Sequence, residues 1–148
     1  MRDRVPVFHA MRRRCIAFVA LGIGAPWARG QPAVGERAAF AARALALSDE
    51  AIRRGDQPFG AVVVKDGTIV GEGVSAVVTL RDPDAHAERV ALADARRRLG
   101  AVDLAGCELY GSARACPVCE AAAARNRIAR MYFGAGATDA GKPRGTAL

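Results

Sequence analysis

Two short stretches of the sequence carry side chains that could bind one metal ion between them. The first, DPDAHAERVAL, contains His86, and the second, ACPVCEAAAA, contains Cys116 and Cys119. The chain has only two histidines, His9 and His86, so a site with one imidazole and two thiolates has little choice of ligand. Two cysteines three residues apart at the start of a helix share one face, where the helix amino end and a divalent metal both lower a thiol pKa. The pattern predicts one Zn²⁺ per chain, held by His86, Cys116 and Cys119.

Glu88 lies two residues after His86, at the predicted start of another helix. Side chains two apart point to different sides of a helix, so both could reach one ion only beyond its amino end. This arrangement suits His86 as a ligand and Glu88 as a proton carrier beside the metal. Three protein ligands leave one position for water, as in a catalytic zinc site, and zinc lowers the pKa of that water to about 7. We therefore expect Glu88 to be the catalytic residue.

Two other interpretations of the cysteines stay open. In an exported protein a Cys-x-x-Cys pair could form a redox disulfide, which would make the chain a disulfide oxidoreductase. A thioredoxin-type motif, however, follows the first strand of its own βαβ unit, whereas this one follows the third predicted strand. Alternatively, Cys107 could be a fourth ligand of a structural zinc site in a binding module without activity. Cys107 lies about nine residues, or some 30 Å of extended chain, before Cys116, which places it at the far end of a strand.

The hydrophobic pattern predicts the elements that would position these side chains. Phe40, Ala44, Leu47 and Ala51 recur at helical spacing, and Gly55 would end that helix. Two apolar, β-branched runs joined by an Asp-Gly dipeptide predict a tight hairpin. The predicted elements are helix 34–54, strands FGAVVVK and TIVGEG joined at Asp66-Gly67, helix 86–99 ended by Gly100, strand CELYGS, helix 116–126 and strand ARMYFG.

The order of these elements indicates the fold class. After the hairpin, helix and strand alternate twice, and strands joined through a helix usually run parallel. We therefore expect an α/β fold in which helices cover a mixed sheet, followed by a tail from Gly134 that contains glycine and proline.

Residues 57–139 resemble the guanine deaminase and tRNA adenosine deaminase branch of the cytidine deaminase-like superfamily. The resemblance rests on QPFGAVVVKDGTIVGEG, DPDAHAE and LYGSARACPVC, in this order. It implies a three-layer helix-sheet-helix sandwich with a mixed five-stranded sheet, whose last two strands run parallel, and a homodimer. It also implies zinc-dependent hydrolytic deamination of a small nucleobase or nucleoside, with a guanine-like purine favoured. In that reaction zinc-bound hydroxide attacks the base and ammonia leaves.

The same resemblance assigns roles to single residues. His86, Cys116 and Cys119 match the zinc ligands of the family, and Glu88 matches its proton shuttle. Four further positions are expected to face the substrate. Ser75 stands where the family generally has a base-binding asparagine. Arg114, together with Ala115, replaces the Glu-Pro pair that usually precedes the first zinc cysteine in the family. Asp139 falls where guanine deaminases have a base-contacting aspartate. Phe59 lies at the entry of a strand, and its ring could face the base. The candidate substrate residues are thus Phe59, Ser75, Arg114 and Asp139.

The charge of the chain is concentrated at its amino end. The formal net charge is +7, but the first 30 residues hold six arginines and one acid, so the remainder carries 16 basic and 14 acidic residues. A net charge of +2 does not indicate a basic groove, and we therefore expect no nucleic-acid partner.

Residues 1–30 resemble a signal peptide. Three consecutive arginines, Arg12 to Arg14, precede an apolar run of about ten residues, which is too short to form a permanent membrane anchor. The arginines resemble a twin-arginine export signal, which carries folded proteins. This pattern predicts a periplasmic or secreted protein whose single deaminase domain spans residues 31–148. The alternative is a wrongly assigned start and a cytoplasmic protein.

Overall fold

Three helices and five strands make up the part of the chain that the structure describes. The computed structural model describes residues 33–101 and 103–145, and the predicted signal peptide at residues 1–30 lies outside these ranges. None of the helices in the described ranges is long and apolar enough to cross a membrane. The elements are α1 (Val34–Arg53), β1 (Gly60–Lys65), β2 (Thr68–Val74), α2 (Ala87–Leu99), β3 (Glu108–Gly111), α3 (Pro117–Arg125), β4 (Arg130–Phe133) and β5 (Thr138–Gly141).

The five strands form one mixed sheet in the order β2-β1-β3-β4-β5. Strand β1 is antiparallel to β2 and to β3, whereas β3 and β4, which are joined through α3, run parallel. This confirms the predicted α/β fold with a mixed five-stranded sheet.

The end of the sheet differs from the prediction. Strand β5 falls in the predicted tail, and it is antiparallel to β4. The expectation that the last two strands run parallel is therefore wrong for β4 and β5, although it holds for β3 and β4. The reason is the connection: residues 134–137 form a tight turn, closed by a hydrogen bond from Ala137 N to the Gly134 carbonyl, and no helix intervenes. A short turn returns the chain antiparallel to the strand that it leaves.

The two faces of the sheet have separate cores. Helices α2 and α3 cover one face with small side chains, among them Ala87, Ala91 and Ala123. Helix α1 covers the other face, where Phe40 packs on Tyr110 and Tyr110 stacks on Tyr132 with 4.7 Å between ring centroids. The sheet thus lies between two helical layers, as the three-layer sandwich requires.

Glycines on β2 allow α2 to lie directly against the sheet. A Cβ atom added at Gly71 or at Gly73 would lie closer than 3.0 Å to the backbone carbonyl oxygen of Ala91 or of Ala87, respectively. Real side chains essentially never approach backbone that closely, so this packing requires glycine. The close contact fixes the height of α2 above the sheet, and with it the position of the residues at the amino end of α2.

Local turn chemistry sets the ends of the elements close to the predicted positions. The hairpin turn has Asp66 and Gly67 at φ 50° and 75°, as expected for an Asp-Gly dipeptide between two strands. Helix α2 ends at Gly100, which has a left-handed backbone with φ 58°. Helices α2 and α3 both begin one residue later than predicted, because His86 and Cys116 have extended backbones and form the N-caps.

Candidate functional site

The amino ends of α2 and α3 converge on the same side of the sheet, and each presents a potential metal ligand. His86 is the N-cap of α2, and Cys116 is the N-cap of α3. Pro117 occupies the first turn of α3, where its missing N–H costs no helical hydrogen bond. Cys119 lies in the same turn, and its backbone N–H donates to the Cys116 sulfur over 3.5 Å. The three side chains that the sequence predicts as ligands are therefore brought together.

The distances between the donor atoms fit a zinc ion. Nδ1 of His86 lies 3.6 Å from Sγ of Cys116 and 3.4 Å from Sγ of Cys119, and all three donor atoms lie within 4.8 Å of one another. A tetrahedral ion with Zn–S of about 2.3 Å and Zn–N of about 2.0 Å separates nitrogen and sulfur by roughly 3.5 Å. An imidazole and two thiols are also the donor types that zinc prefers. The residues present therefore fit zinc in both geometry and chemistry.

The environment of Cys119 explains why a cation would matter there. Burial, followed by the nearby Glu88 carboxylate, raises the pKa of the Cys119 thiol well above its usual range. The sequence-based expectation that the helix amino end favours the thiolate is thus outweighed at Cys119 by the loss of solvent. A coordinated divalent cation reverses this balance, because it removes the thiol proton and compensates the buried negative charge.

Glu88 lies beside the ligand group, as its spacing from His86 predicts. It belongs to the first turn of α2, is half-buried, and its carboxylate interacts with the Cys119 thiol. Its side chain also lines a pocket of about 210 Å³, open space at the mouth included, together with Gly111, Ala113 and Ala115. A carboxylate that touches a ligand and also lines a pocket can pass a proton between the ion and a molecule in that pocket.

Within residues 33–101 and 103–145, the ligand group contains three residues, and the buried Cys107 is not among them. Cys107 lies just before β3, where its carbonyl accepts a hydrogen bond from Ala129 N near the start of β4. It therefore lies at the opposite end of β3 from the loop that leads to Cys116. The interpretation as a structural zinc site with four ligands therefore lacks its fourth ligand. Three protein ligands leave one coordination position for water or substrate.

Ser75 is placed differently from the expectation of a free hydroxyl in the pocket. It is only 1% exposed, and its hydroxyl donates to Oδ1 of Asp56 over 2.8 Å. The hydroxyl proton is thus already bonded within the protein, so a base contact by Ser75 stays a prediction. Asp56, which sequence reasoning missed, is an isolated acid at the end of a helix. Most of its hydrogen bonds come from residues about 20 positions later in the chain, and no local sequence pattern reveals them.

The other three candidate substrate residues lie at the surface. Arg114 precedes the ligand loop and places its guanidinium 5.8 Å from the centre of the Phe133 ring. Phe59 is 39% exposed at the entry of β1. Asp139 forms an ion pair with Arg130, whose side chain shares the α1 face of the sheet with Tyr132, two residues along β4. The ligand group lies on the opposite face, so this placement gives the Asp139 prediction no support.

Comparison with known proteins shows where this arrangement occurs. Residues 35–135 match the family model described as the cytidine and deoxycytidylate deaminase zinc-binding region. The guanine deaminase of Bacillus subtilis (strain 168) is 44% identical over 102 residues, which cover 68% of this chain and 65% of that protein. A tRNA-specific adenosine deaminase of Aquifex aeolicus (strain VF5) is 40% identical over 92 residues, which cover 62% of this chain and 61% of that protein. The chain thus spans less than two thirds of the length of these two relatives.

Solved structures are similar over the same part of the chain. The structure of guanine deaminase from Bacillus subtilis has a TM-score of 0.63 at 43% identity and covers 66% of this chain and 62% of its own. A guanine deaminase from Nitrosomonas europaea has a TM-score of 0.61 at 27% identity and covers 70% of this chain and 67% of its own.

Proposed function

The chain belongs to the cytidine and deoxycytidylate deaminase zinc-binding family, and from this premise we propose that it is a zinc-dependent hydrolytic deaminase of a small nucleobase or nucleoside. The observation that carries the proposal is the spacing of 3.4 and 3.6 Å between Nδ1 of His86 and the two cysteine sulfurs, with Glu88 beside them. The family match alone would also include chains that have lost the ligands. Here three residues that could hold a metal ion lie together, and the Glu88 carboxylate is beside them, which supports the proposal.

Each residue of the site has a separate task. His86, Cys116 and Cys119 hold the ion from two helix ends that are fixed by the sheet. Zinc, when bound, acts as a Lewis acid that lowers the pKa of a coordinated water to about 7. The Glu88 carboxylate accepts a proton from the attacking water and donates it to a ring nitrogen of the base. It then takes up the proton of the hydroxyl group added to the ring and donates it to the departing amine. The pocket that Glu88 lines is the place where we expect the base to approach the ion.

A guanine-like purine base is the substrate that we favour. Support comes from the 44% identity to a guanine deaminase and from the net charge of +2 after residue 30, which offers a long polyanion little attraction. The 40% identity to a tRNA-specific adenosine deaminase makes adenosine within RNA the second candidate. The two candidates differ in size, because a free base contacts the pocket alone, whereas RNA also requires phosphate contacts outside it.

Ammonia release measured on a panel of substrates tests the proposal. The panel contains guanine, adenine, cytosine, their nucleosides and a tRNA, and zinc per chain is measured in the same samples. We expect turnover of guanine and none of tRNA. Turnover of tRNA alone would replace the free base by the second candidate, and no release of ammonia from any substrate at full zinc occupancy would overturn the proposed activity.

Replacing the acid-base group tests the role of Glu88. Glu88→Gln should keep the zinc content and lower turnover by a factor of roughly 10² to 10⁴, because a positioned proton carrier contributes about that much. Glu120→Gln is the matched control, since Glu120 lies in the first turn of α3 but its carboxylate is bonded to the backbone and side chain of Arg144. Full activity of Glu88→Gln would remove Glu88 from the mechanism.

A further inference from the structure

The carboxylate of Asp56 accepts five hydrogen bonds from three segments of the chain. Oδ1 accepts from Gln57 N and from the Ser75 hydroxyl, and Oδ2 accepts from the backbone N–H groups of Val78 and Thr79 and from the Thr79 hydroxyl, at distances of 2.8 to 3.0 Å. Asp56 is only 9% exposed. Burial by itself raises the pKa of Asp56, but the hydrogen bonds from Thr79, Gln57 and Ser75 outweigh it and hold the pKa well below its usual range. The group is thus a carboxylate anion at neutral pH.

Two of these bonds cap a turn that is distant from Asp56 in sequence. In the segment 76–82, Leu80 N donates to the Ala76 carbonyl over 3.0 Å, and Asp82 N donates to the Val77 carbonyl over 3.1 Å. The Val78 and Thr79 N–H groups at the start of such a turn have no partner within it, as at any helix amino end. Asp56 supplies the acceptor from 22 and 23 positions earlier in the chain.

The 76–82 turn is also hydrogen-bonded to Ala85, the residue that precedes the metal ligand His86. Ala76 N donates to the Ala85 carbonyl over 3.0 Å, and Ala85 N donates to the Asp82 carbonyl over 3.1 Å. Ala85 directly precedes His86, so the turn and the ligand belong to one closed connection between β2 and α2. Val78 and Leu80, which are 55% and 68% exposed, stand on the outside of this connection.

We propose that Asp56 is a positioning residue that holds the 76–82 turn against the start of α2, and that this turn governs how tightly the site binds its substrate. The second part rests on the proposed function, whereas the first does not. Asp56 touches neither the ligand group nor Glu88 in any described contact, so it acts only through the turn. Removal of its carboxylate leaves up to five donors without acceptors, and the turn is free to move away from His86 while the ligands stay in place.

The order of the turn can be measured without any enzymatic activity. Arg81 is an exposed residue with φ 53° within the turn, and Arg127, with φ 61°, is an exposed arginine at the far end of the sheet. In Asp56→Ala, trypsin should cleave after Arg81 about tenfold faster relative to Arg127, because several buried donors lose their acceptor. The cleavage sites are identified by mass spectrometry. An unchanged ratio between the two sites would overturn the proposal.

Kinetics separate a positioning role from a merely structural one. On the substrate found by the ammonia panel, Asp56→Ala should raise KM about tenfold, with kcat within roughly threefold of wild type and zinc still bound. Asp94→Asn is the matched control: this carboxylate also accepts a backbone N–H, that of Glu72 at 3.0 Å, but it lies in the middle of α2, two turns after His86. The control should leave KM unchanged. A fall in kcat at constant KM in Asp56→Ala would contradict the proposal.

Milder variants keep the test decisive if Asp56→Ala does not fold. Thr79→Val removes one of the five hydrogen bonds, that of the Thr79 hydroxyl, and should shift both readouts in the same direction by a smaller factor. Asp56→Asn keeps the shape of the side chain. Because both carboxylate oxygens accept hydrogen bonds here, either orientation of the amide places its NH₂ group against a donor, so this variant should also shift both readouts in the same direction. If wild type is silent on the whole panel, the proposed function fails, and the Arg81 cleavage ratio still decides whether Asp56 holds the turn.

Discussion

Helices cover both faces of the sheet, but the two faces differ in side-chain chemistry. The face under α2 and α3 combines alanines and larger side chains such as Leu109 and Met131 with glycines on β2 that let the helix backbone touch the strand. The face under α1 is built from stacked aromatic rings, with the Tyr110 hydroxyl donating to Glu108 over 2.7 Å, and helix backbone approaches the strand there at Gly60, where β1 begins. The ligand group lies on the first face alone.

This difference shows how the site obtains its geometry. Large side chains hold a helix away from a sheet, and their rotamers allow its position to vary. Small residues bring backbone against backbone, so the end of the helix has one available position. The donor atoms of a metal site need placement within a few tenths of an ångström, and the face with small residues supplies it.

The largest effect is expected from the ligands themselves. His86→Ala, Cys116→Ser and Cys119→Ser should each reduce bound zinc from about one per chain to none, because two remaining donors cannot hold the ion. Cys107→Ser, which changes a buried cysteine on the same face, should keep it. The measurement is metal content after dialysis.

Two results would contradict this assignment. Zinc that persists in all three ligand variants, or that is lost in Cys107→Ser alone, would place the site elsewhere. Titration of thiols with and without reductant separates the remaining alternative, since a redox protein would show a Cys116–Cys119 disulfide and no metal.

Adding one methyl group on each face of the sheet tests whether only the α2 face positions the ligand group. Gly73→Ala and Gly60→Ala each place a Cβ closer than 3.0 Å to helix backbone, that of α2 at Ala87 and that of α1 at Ala44. Both should lower the free energy of unfolding by about 3 kcal/mol, the upper part of the range for overpacking. Only Gly73→Ala should also weaken zinc binding, because it displaces the residue next to His86.

Chemical denaturation and a competitive zinc chelator measure these two quantities. Gly35→Ala is the control, since a Cβ there meets nothing within 4 Å and alanine suits a helix. Equal loss of zinc affinity in Gly60→Ala and Gly73→Ala would mean that both faces position the site.

The smallest effect is expected at Asp139. Its ion pair with Arg130 is half-exposed and lies on the α1 face, so Asp139→Asn should leave kcat/KM unchanged within about twofold, as is usual for a surface substitution. Steady-state kinetics on the substrate found by the panel check this. A tenfold or larger fall in kcat/KM would instead support the base contact that the resemblance implies.

Much of the fold could be predicted because its signals are local. Helical spacing from Phe40 to Ala51 and the Asp66-Gly67 turn each act within a few residues, and both are found where the sequence places them. The ligand group was predictable for a different reason, since the chemistry of zinc restricts the donors to a few residue types. With two histidines in the chain, little choice remained.

The parts that could not be predicted depend on contacts between distant segments. Strand β5 has the sequence TDAG, with one apolar residue in four, and its pairing with β4 forms it against the local preference. Asp56 shows no signal of its own, because its five donors come from a neighbouring residue and from positions 19 to 23 residues later. The hydrogen bond of Ser75 to Asp56 is likewise invisible in the sequence, and the base contact of Ser75 stays a prediction.

The separation of the ligands along the chain has a consequence for folding. His86 lies 30 and 33 positions before the two cysteines, and this stretch contains β3, which lies at the centre of the sheet. A cation shared by its two ends closes the stretch into a loop, and on the disulfide model the entropy that this removes from the unfolded chain is worth roughly 3 to 4 kcal/mol. Zinc supply would then set how often the centre of the sheet opens to hydrogen exchange, so the lifetime of the protein in a cell would follow the free zinc concentration around it.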